Sequence, residues 1–373
     1  MLTREIAEEI VRETMKRLNR NINIMDNTGT IIASGDPTRI DQFHQGALEV
    51  LKSGRALIIT ENNLEQFEGA QLGINLPIEF QGKTLGVIGI TGHPGEVEKF
   101  GELVKMTTEM MVEQSFLASQ WDWNQRITSM LIEEVIKQVP NWGFVEHNLE
   151  LLATHLSPPF SVVVLNLVES GVTNQRLLQT VTQSFGSDKC IVGFIRSSQL
   201  FVLVMGLPLE AFKSSILTLQ EKLFHMSATL RMGVGTQVEM KESICRSYHE
   251  AQLALLIEEQ DVVFYSDTEP KSLMYQLDHG VRSRFVDRVL SNLPPKLIET
   301  LQVLFHCNLN IAAASRKLYV HRNTLIYRLG KIKERTGRDP LAFQDAVTLQ
   351  AAIWAYTSLK AGSLKTAPPS MET

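Results

Sequence analysis

The stretch from Asn310 to Lys333, NIAAASRKLYVHRNTLIYRLGKIK, constrains this chain more than any other. Its spacing predicts a helix, a tight turn and a second helix. Ala312, Ala313 and Ala314 are small enough to let two helices cross closely, and Leu318 and Val320 are placed to bury at the turn. In the second helix Leu325, Ile326, Leu329 and Ile332 recur at helical spacing as one apolar stripe. Asn323, Thr324, Tyr327, Arg328 and Lys331 fall on the opposite face. These donor-rich side chains suit base edges and phosphates. The layout is that of a helix-turn-helix whose second helix enters the major groove of duplex DNA.

Charge is distributed to match. Between Arg316 and Arg338 stand eight Lys or Arg residues and one acid, Glu334. With 36 basic and 41 acidic residues in the chain, 28 and 40 remain outside the segment. A chain that is otherwise acidic thus carries a local positive field, which is what phosphate binding requires.

A chain of 373 residues is expected to hold two or three domains. At 44% hydrophobic and 21% charged residues it reads as globular. No apolar run is long enough to span a bilayer, and the amphipathic start MLTREIAEEIVRETMKRL lacks the features of a signal peptide. Cys190, Cys245 and Cys307 are far apart, without metal-ligand spacing, and read as reduced thiols of a cytoplasmic protein. Neither a membrane partner nor a cofactor is expected.

The periodicity predicts a helix over 3–18, then strands flanking the turn residues Asp26-Asn27-Thr28-Gly29. A helix over 37–53 follows, then strands at 56–60, 75–80 and 84–91, the last two joined at Gln81-Gly82. This order suggests a sensor domain of the PAS or GAF kind over 1–120. A long helix is expected from Val97 to Val139, with a break near Trp121–Asn124 and a linker helix over 121–149. Leu103, Met106, Met110, Leu117, Trp121 and Leu131 give it a partial heptad, consistent with a dimerising helix or with packing on its own domain. A second α/β domain is expected over 150–290, with strands at 160–168, 190–196, 200–206 and 230–238 and helices at 209–226 and 240–258. Pro294-Pro295 marks the entry to an all-α DNA-binding domain over 291–360, and 361–373 reads as a disordered tail.

NINIMDNTGTIIASGDPTRIDQFHQGAL, GINLPIEFQGKTLGVIGITG and KFGELVKMTTEMMVEQ together resemble the sensor third of the carbohydrate diacid regulator family of bacterial transcription factors. YVHRNTLIYRL resembles the helix-turn-helix of purine-catabolism-type regulators, and the middle domain is similar to the family's degenerate GGDEF-like domain. The resemblance implies a cytoplasmic regulator, usually an activator, that senses glucarate, galactarate or glycerate and controls genes for their uptake and breakdown. Such a regulator is expected to act as a homodimer or higher homo-oligomer on an operator in double-stranded DNA. One departure is Tyr319, where many relatives of the motif place Gly; a side chain there forces a less favoured backbone conformation or a slightly different turn.

A dicarboxylate needs cationic or hydrogen-bonding partners for its carboxylates and further partners for its hydroxyls. Ser34, Arg39 and His44 in SGDPTRIDQFH supply donors, and a helix starting near Asp36 would offer free N–H groups to an anion. Gln71, Gly73, Ile74 and Asn75 in QLGINLP, with Thr91 at the end of the last strand, complete the candidate ligand site. Arg39 is expected to pair one carboxylate, with His44 or Asn75 holding the rest. On DNA, Asn323, Thr324, Tyr327 and Arg328 are candidates for base or nearby phosphate contacts, Arg322 and Lys331 for phosphate, and His321 for a helix cap or a DNA contact.

Active GGDEF cyclases carry glycines and metal-binding acids at a hairpin tip. Here the corresponding residues are Arg196-Ser197-Ser198-Gln199-Leu200-Phe201, so metal-dependent phosphoryl chemistry lacks its ligands and no enzyme activity is expected. Two alternatives stay open: a regulator of this architecture that senses another metabolite, such as a purine breakdown product, and a nucleotide cyclase with a DNA-binding appendage.

Overall fold

The computed structural model describes residues 2–226 and 228–365. The chain divides into two compact units, 1–126 and 127–373. In the first, helix α1 (Arg4–Leu18) is capped by the Thr3 hydroxyl, which accepts from Ile6 N, and ends at Asn19 in the left-handed conformation. Strands β1 (Ile22–Met25) and β2 (Ile31–Ser34) form the expected hairpin. Its turn is held by the Asp26 carboxylate, which accepts from the backbone of Thr28 at 2.8 Å and of Thr30 at 3.0 Å. Helix α2 (Gln45–Ser53) and strands β3 (Leu57–Ile59), β4 (Gly73–Phe80) and β5 (Lys83–Thr91) complete an antiparallel sheet of order β2-β1-β5-β4-β3.

The helix expected over 37–53 is not continuous. Pro37–Arg39 is a single 3-10 turn, and α2 starts only at Gln45. The Asp36 carboxylate occupies the first free N–H of that turn by accepting from Thr38 N at 3.0 Å, so the anion-binding helix start expected there is absent.

Helix α3 (Pro94–Val135) is unbroken through Trp121–Asn124, a stretch without Gly or Pro to interrupt it. Ala7, Ile10 and Val11 of α1 and Val97, Val104 and Val112 of α3 pack with Ile22, Ile24, Ile74, Leu76, Ile78, Ile88 and Ile90 on one sheet face. On the other, Ala47 and Val50 of α2 pack with Met25, Ile31 and Val87.

The expected 121–149 linker helix resolves into the end of α3, a turn, and α4 (Trp142–Leu151). Leu131, Ile132, Val135, Val145 and Leu149 of these segments are core residues of the second unit. That unit continues with β6 (Phe160–Ser170), α5 (Asn174–Phe185), β7 (Cys190–Arg196), β8 (Gln199–Met205), α6 (Leu209–His225), β9 (Ala228–Val234), α7 (Ile244–Ile257) and β10 (Val262–Phe264). The sheet order is β10-β9-β6-β8-β7, with β10 parallel to β9 and the other neighbours antiparallel. Val162, Val163, Val164 and Leu165 are all fully buried, which fits a central strand covered on both faces.

Helices α8 (Tyr265–Gln276), α9 (His279–Leu290), α10 (Pro295–His306), α11 (Ile311–Lys317), α12 (Arg322–Thr336) and α13 (Phe343–Lys365) follow. Arg282 of α9 donates to Ser358 of α13 at 2.9 Å, so the helical body begins before the expected boundary at 291. Helix α13 also runs into the expected tail as far as Lys365; 366–373 lie outside the described residues. No helix among the described residues is long and apolar enough to cross a membrane.

Candidate ligand pocket and nucleic-acid interface

Strand register assembles the candidate pocket. Ser34 lies opposite Asn23, Asn23 opposite Gly89, and Gly89 opposite Asn75, so these four form one row across β2-β1-β5-β4. Side chains two residues apart share a face, which puts this row beside Met25 and Val87 on the α2 side. Gly89 makes room for the Asn75 side chain: a Cβ there would stand 2.8 Å from Asn75 Oδ1. Asn75 is only 3% exposed, yet its side-chain amide makes no hydrogen bond to any described residue.

The next row holds Thr91 and Gly73. Gln71 Oε1 accepts from Thr91 Oγ1 at 3.5 Å and from Arg39 Nη1 at 3.2 Å, and Arg39 Nη2 donates to the Gly69 carbonyl. Arg39 is 7% exposed and forms no ion pair among the described residues. Burial lowers its pKa, against the weaker pull of Asp36, whose carboxylate is engaged with Thr38. A guanidinium taken out of water without a carboxylate is costly, and an incoming anion would relieve that cost.

His44, 3% exposed, caps α2: its Nδ1 accepts from Ala47 N at 3.1 Å. Burial first, and the Arg39 charge second, push its pKa down from 6.5 to about 4. The imidazole is therefore neutral near pH 7, with its proton on Nε2, which donates to no described residue. Ser34 Oγ donates to Asn23 Oδ1 at 2.6 Å and accepts from Asp36 N at 3.0 Å.

Ser34, Gly73, Asn75 and Thr91 thus fall on one face of the sheet; Gln71 and Arg39 are tied to Thr91, and His44 stands at the start of α2, which packs on that face. Ile74 is not on that face. One residue out of phase with Asn75, it packs in the opposite core, near Gly101 of α3. Gly73 has a structural reason of its own, since a Cβ there would stand 2.0 Å from the Ile90 carbonyl oxygen. Asn23 and Gly89 were not singled out from the sequence; only strand register reveals them.

At the other site, Asn310 caps α11 by accepting from Ala313 N at 3.0 Å, and His321 caps α12 through Nδ1, accepting from Asn323 N at 3.3 Å. Tyr319 takes the left-handed conformation at φ 53°, as expected for a residue standing where Gly is common, and is 95% exposed. Leu325, Leu329 and Ile332 are buried against α10 and α13, among Leu301, Leu304, Leu349 and Ile353. Ile326 is 47% exposed and belongs to no core cluster, which corrects its place in the expected stripe; it stands 100° around the helix from Leu325. Leu318 and Val320 are half-buried against the same core.

Arg322, Asn323, Thr324 and Tyr327 are exposed on α12. Lys331 pairs with Glu334 at 2.7 Å and lies 6.0 Å from the Tyr327 ring centroid. Arg328 differs from the other candidates: half-buried, it donates to Thr300 Oγ1 of α10 at 3.3 Å.

Three family models match in sequence: "Putative sugar diacid recognition" over 2–135, a GGDEF-like domain over 142–257 and the PucR C-terminal helix-turn-helix domain over 297–355. The "Carbohydrate diacid regulator" of Escherichia coli (strain K12) is 31% identical, over 94% of this chain and 97% of that protein. The chain belongs to the carbohydrate diacid regulator family. Two uncharacterized proteins are similar over the same span. One, from Haemophilus influenzae, is 31% identical over 93% of this chain and 97% of its own; the other, YsfB of Bacillus subtilis, is 28% identical over 94% and 96%. For a member of this family the C-terminal helix-turn-helix is the DNA-binding element, and α12 is its second helix.

Proposed function

We propose that this protein is a transcription regulator of genes for sugar diacid uptake and breakdown, controlled by a hydroxylated carboxylic acid bound in the first unit. The observation that carries the reading is Arg39, a buried guanidinium without an ion-pair partner among the described residues, tied through Gln71 to Thr91 in the row next to the asparagine amides. Its remaining N–H groups suit a carboxylate. The Asn75 amide, Asn23 Nδ2 and His44 Nε2 suit hydroxyls or a second carboxylate. Glucarate, galactarate and glycerate share that chemistry, and the name of the Escherichia coli relative points the same way.

The five-stranded antiparallel sheet with one short helix on the pocket side supports reading the first unit as a PAS-like sensor. The serines at the tip of the β7-β8 hairpin, Ser197 and Ser198, support a middle domain that relays a signal without catalysis. The partly exposed line Leu103, Met106, Met110 and Leu117 on α3 supports a homodimer, which would place two copies of α12 over paired half-sites. We read the regulator as a cytoplasmic activator whose ligand shifts the balance between two arrangements of these parts.

Calorimetric titration of the full chain with the three acids tests the reading. Saturable heat with one of them, together with a changed affinity for duplex DNA carrying the upstream region of a diacid-catabolism gene, is the expected outcome. Dilution heats alone from all three, with DNA binding intact, would shift the ligand to another metabolite.

A further inference from the structure

The donors on α12 suit phosphates and polar base edges. They leave Ile326 without a role. A β-branched residue half in water on a helix gains nothing from propensity and little from burial. The sequence pattern assigned it to the core, but Leu325, Leu329 and Ile332 fill that space without it. Its neighbours on the helix surface are Arg322, one turn before, and Gly330, one turn after; Lys333 continues the same flank. Gly330 has nothing within 4 Å of where a Cβ would stand, so no packing within the chain requires a glycine there. A helix bare at that point lets a groove wall approach closely beside Ile326.

We propose that Ile326 is a specificity-determining residue that packs against the C5-methyl group of a thymine in the major groove, with Arg322 on its flank fixing the helix against phosphate. The major groove offers one apolar feature, that methyl, and aliphatic side chains read it by contact. The inference rests on the DNA-binding reading of α12 and adds a base preference to the polar contacts that Asn323, Thr324 and Tyr327 can make.

The test uses the full chain at fixed salt. Duplexes are selected from a random pool, and each thymine in the selected site is then replaced singly by uracil, which removes only the methyl. At one or two positions the wild type should lose about fourfold in affinity, the worth of one buried carbon. Ile326→Ala should bind the uracil and thymine duplexes equally, and Ile326→Val should retain the discrimination. Because the side chain is exposed, far-ultraviolet circular dichroism of both variants should match the wild type. A uracil penalty that persists unchanged in Ile326→Ala, or one found at no position in the wild type, overturns the proposal. Failure to select any duplex is a separate result: it overturns the regulator reading, and this inference with it.

Discussion

The two candidate sites handle their polar groups in opposite ways. In the candidate sensor site they are tied to one another, Arg39 to Gln71 and Gly69, Gln71 to Thr91, Ser34 to Asn23, around the buried side chains of Asn23 and Arg39. On α12 the first two turns are open, with Arg322, Asn323, Thr324 and Tyr327 exposed. A ligand entering the pocket must therefore exchange hydrogen bonds, and its affinity reflects what it displaces as well as what it gains. DNA meets side chains that mainly give up water and counterions. A pocket of the first kind suits a switch, because occupancy changes the internal bonds of its own unit. A surface of the second kind suits a readout, because its geometry exists before the partner arrives.

The sharpest way to break this contrast is Arg39→Met. The variant keeps an unbranched apolar stem and removes the guanidinium with its charge. Affinity for the activating acid should fall on the order of a hundredfold, since a buried charge-assisted contact is worth about 1.5–3 kcal/mol. Stability without ligand should stay within about 1 kcal/mol, because two lost hydrogen bonds are offset by relief from burying an unpaired cation. Thermal melts with and without ligand measure both. A ligand-induced shift in Tm equal to that of the wild type would remove Arg39 from the site.

The second prediction concerns pH. His44 has a folded pKa of about 4 against an ordinary 6.5, so below 6.5 the unfolded chain takes up a proton that the folded chain refuses. Stability contributed by neutral His44 is fully present above pH 6.5 and is lost progressively as pH falls towards 4. The full loss is about 3 kcal/mol at most. His44→Asn keeps a capping side chain without the titration, and its denaturation midpoint should vary less over that range than the wild type's. Equal pH dependence in the two proteins would place the imidazole in water.

What the sequence revealed divides along physical lines. Turn chemistry was legible, as at Asp26–Gly29 and Gln81-Gly82, and so was the helix-turn-helix core of Leu325, Leu329 and Ile332. Ser34, Arg39, His44, Gln71 and Thr91 stand out as candidates because they crowd strand ends and turns, where polar residues need a reason. Properties set by pairing or phase were not legible. Asn23 joins the pocket only because β1 pairs with β5 in one register, and Ile74 leaves it because a strand turns its side chains over at every residue. Ile326 looked apolar enough for the core but sits 100° from its centre, and Arg328 looked free until α10 placed Thr300 beside it. The turn within 37–44 was hidden by a segment that reads as helical on composition, although its backbone leaves the helix at Ile40 and turns left-handed at Asp41, φ 65°.

The smallest expected effect sharpens the readout side of the comparison. Tyr319 holds a left-handed conformation at φ 53° with its side chain almost wholly in water. That conformation costs a residue with a Cβ roughly 1–2 kcal/mol, and no packing within the chain offsets it. Glycine removes the strain but gives back part of the gain through a freer unfolded chain. Tyr319→Gly should therefore stabilise the C-terminal helices by about 0.5–1 kcal/mol, read as a higher denaturant midpoint with an unchanged slope. If the open surface of this domain exists for DNA, the same variant should bind duplex DNA no more tightly despite its greater stability, because the readout geometry was already formed. A gain in affinity matching the gain in stability would show instead that the turn and α12 are ordered by DNA, and the helix-turn-helix would then belong with the pocket as a part that changes on binding.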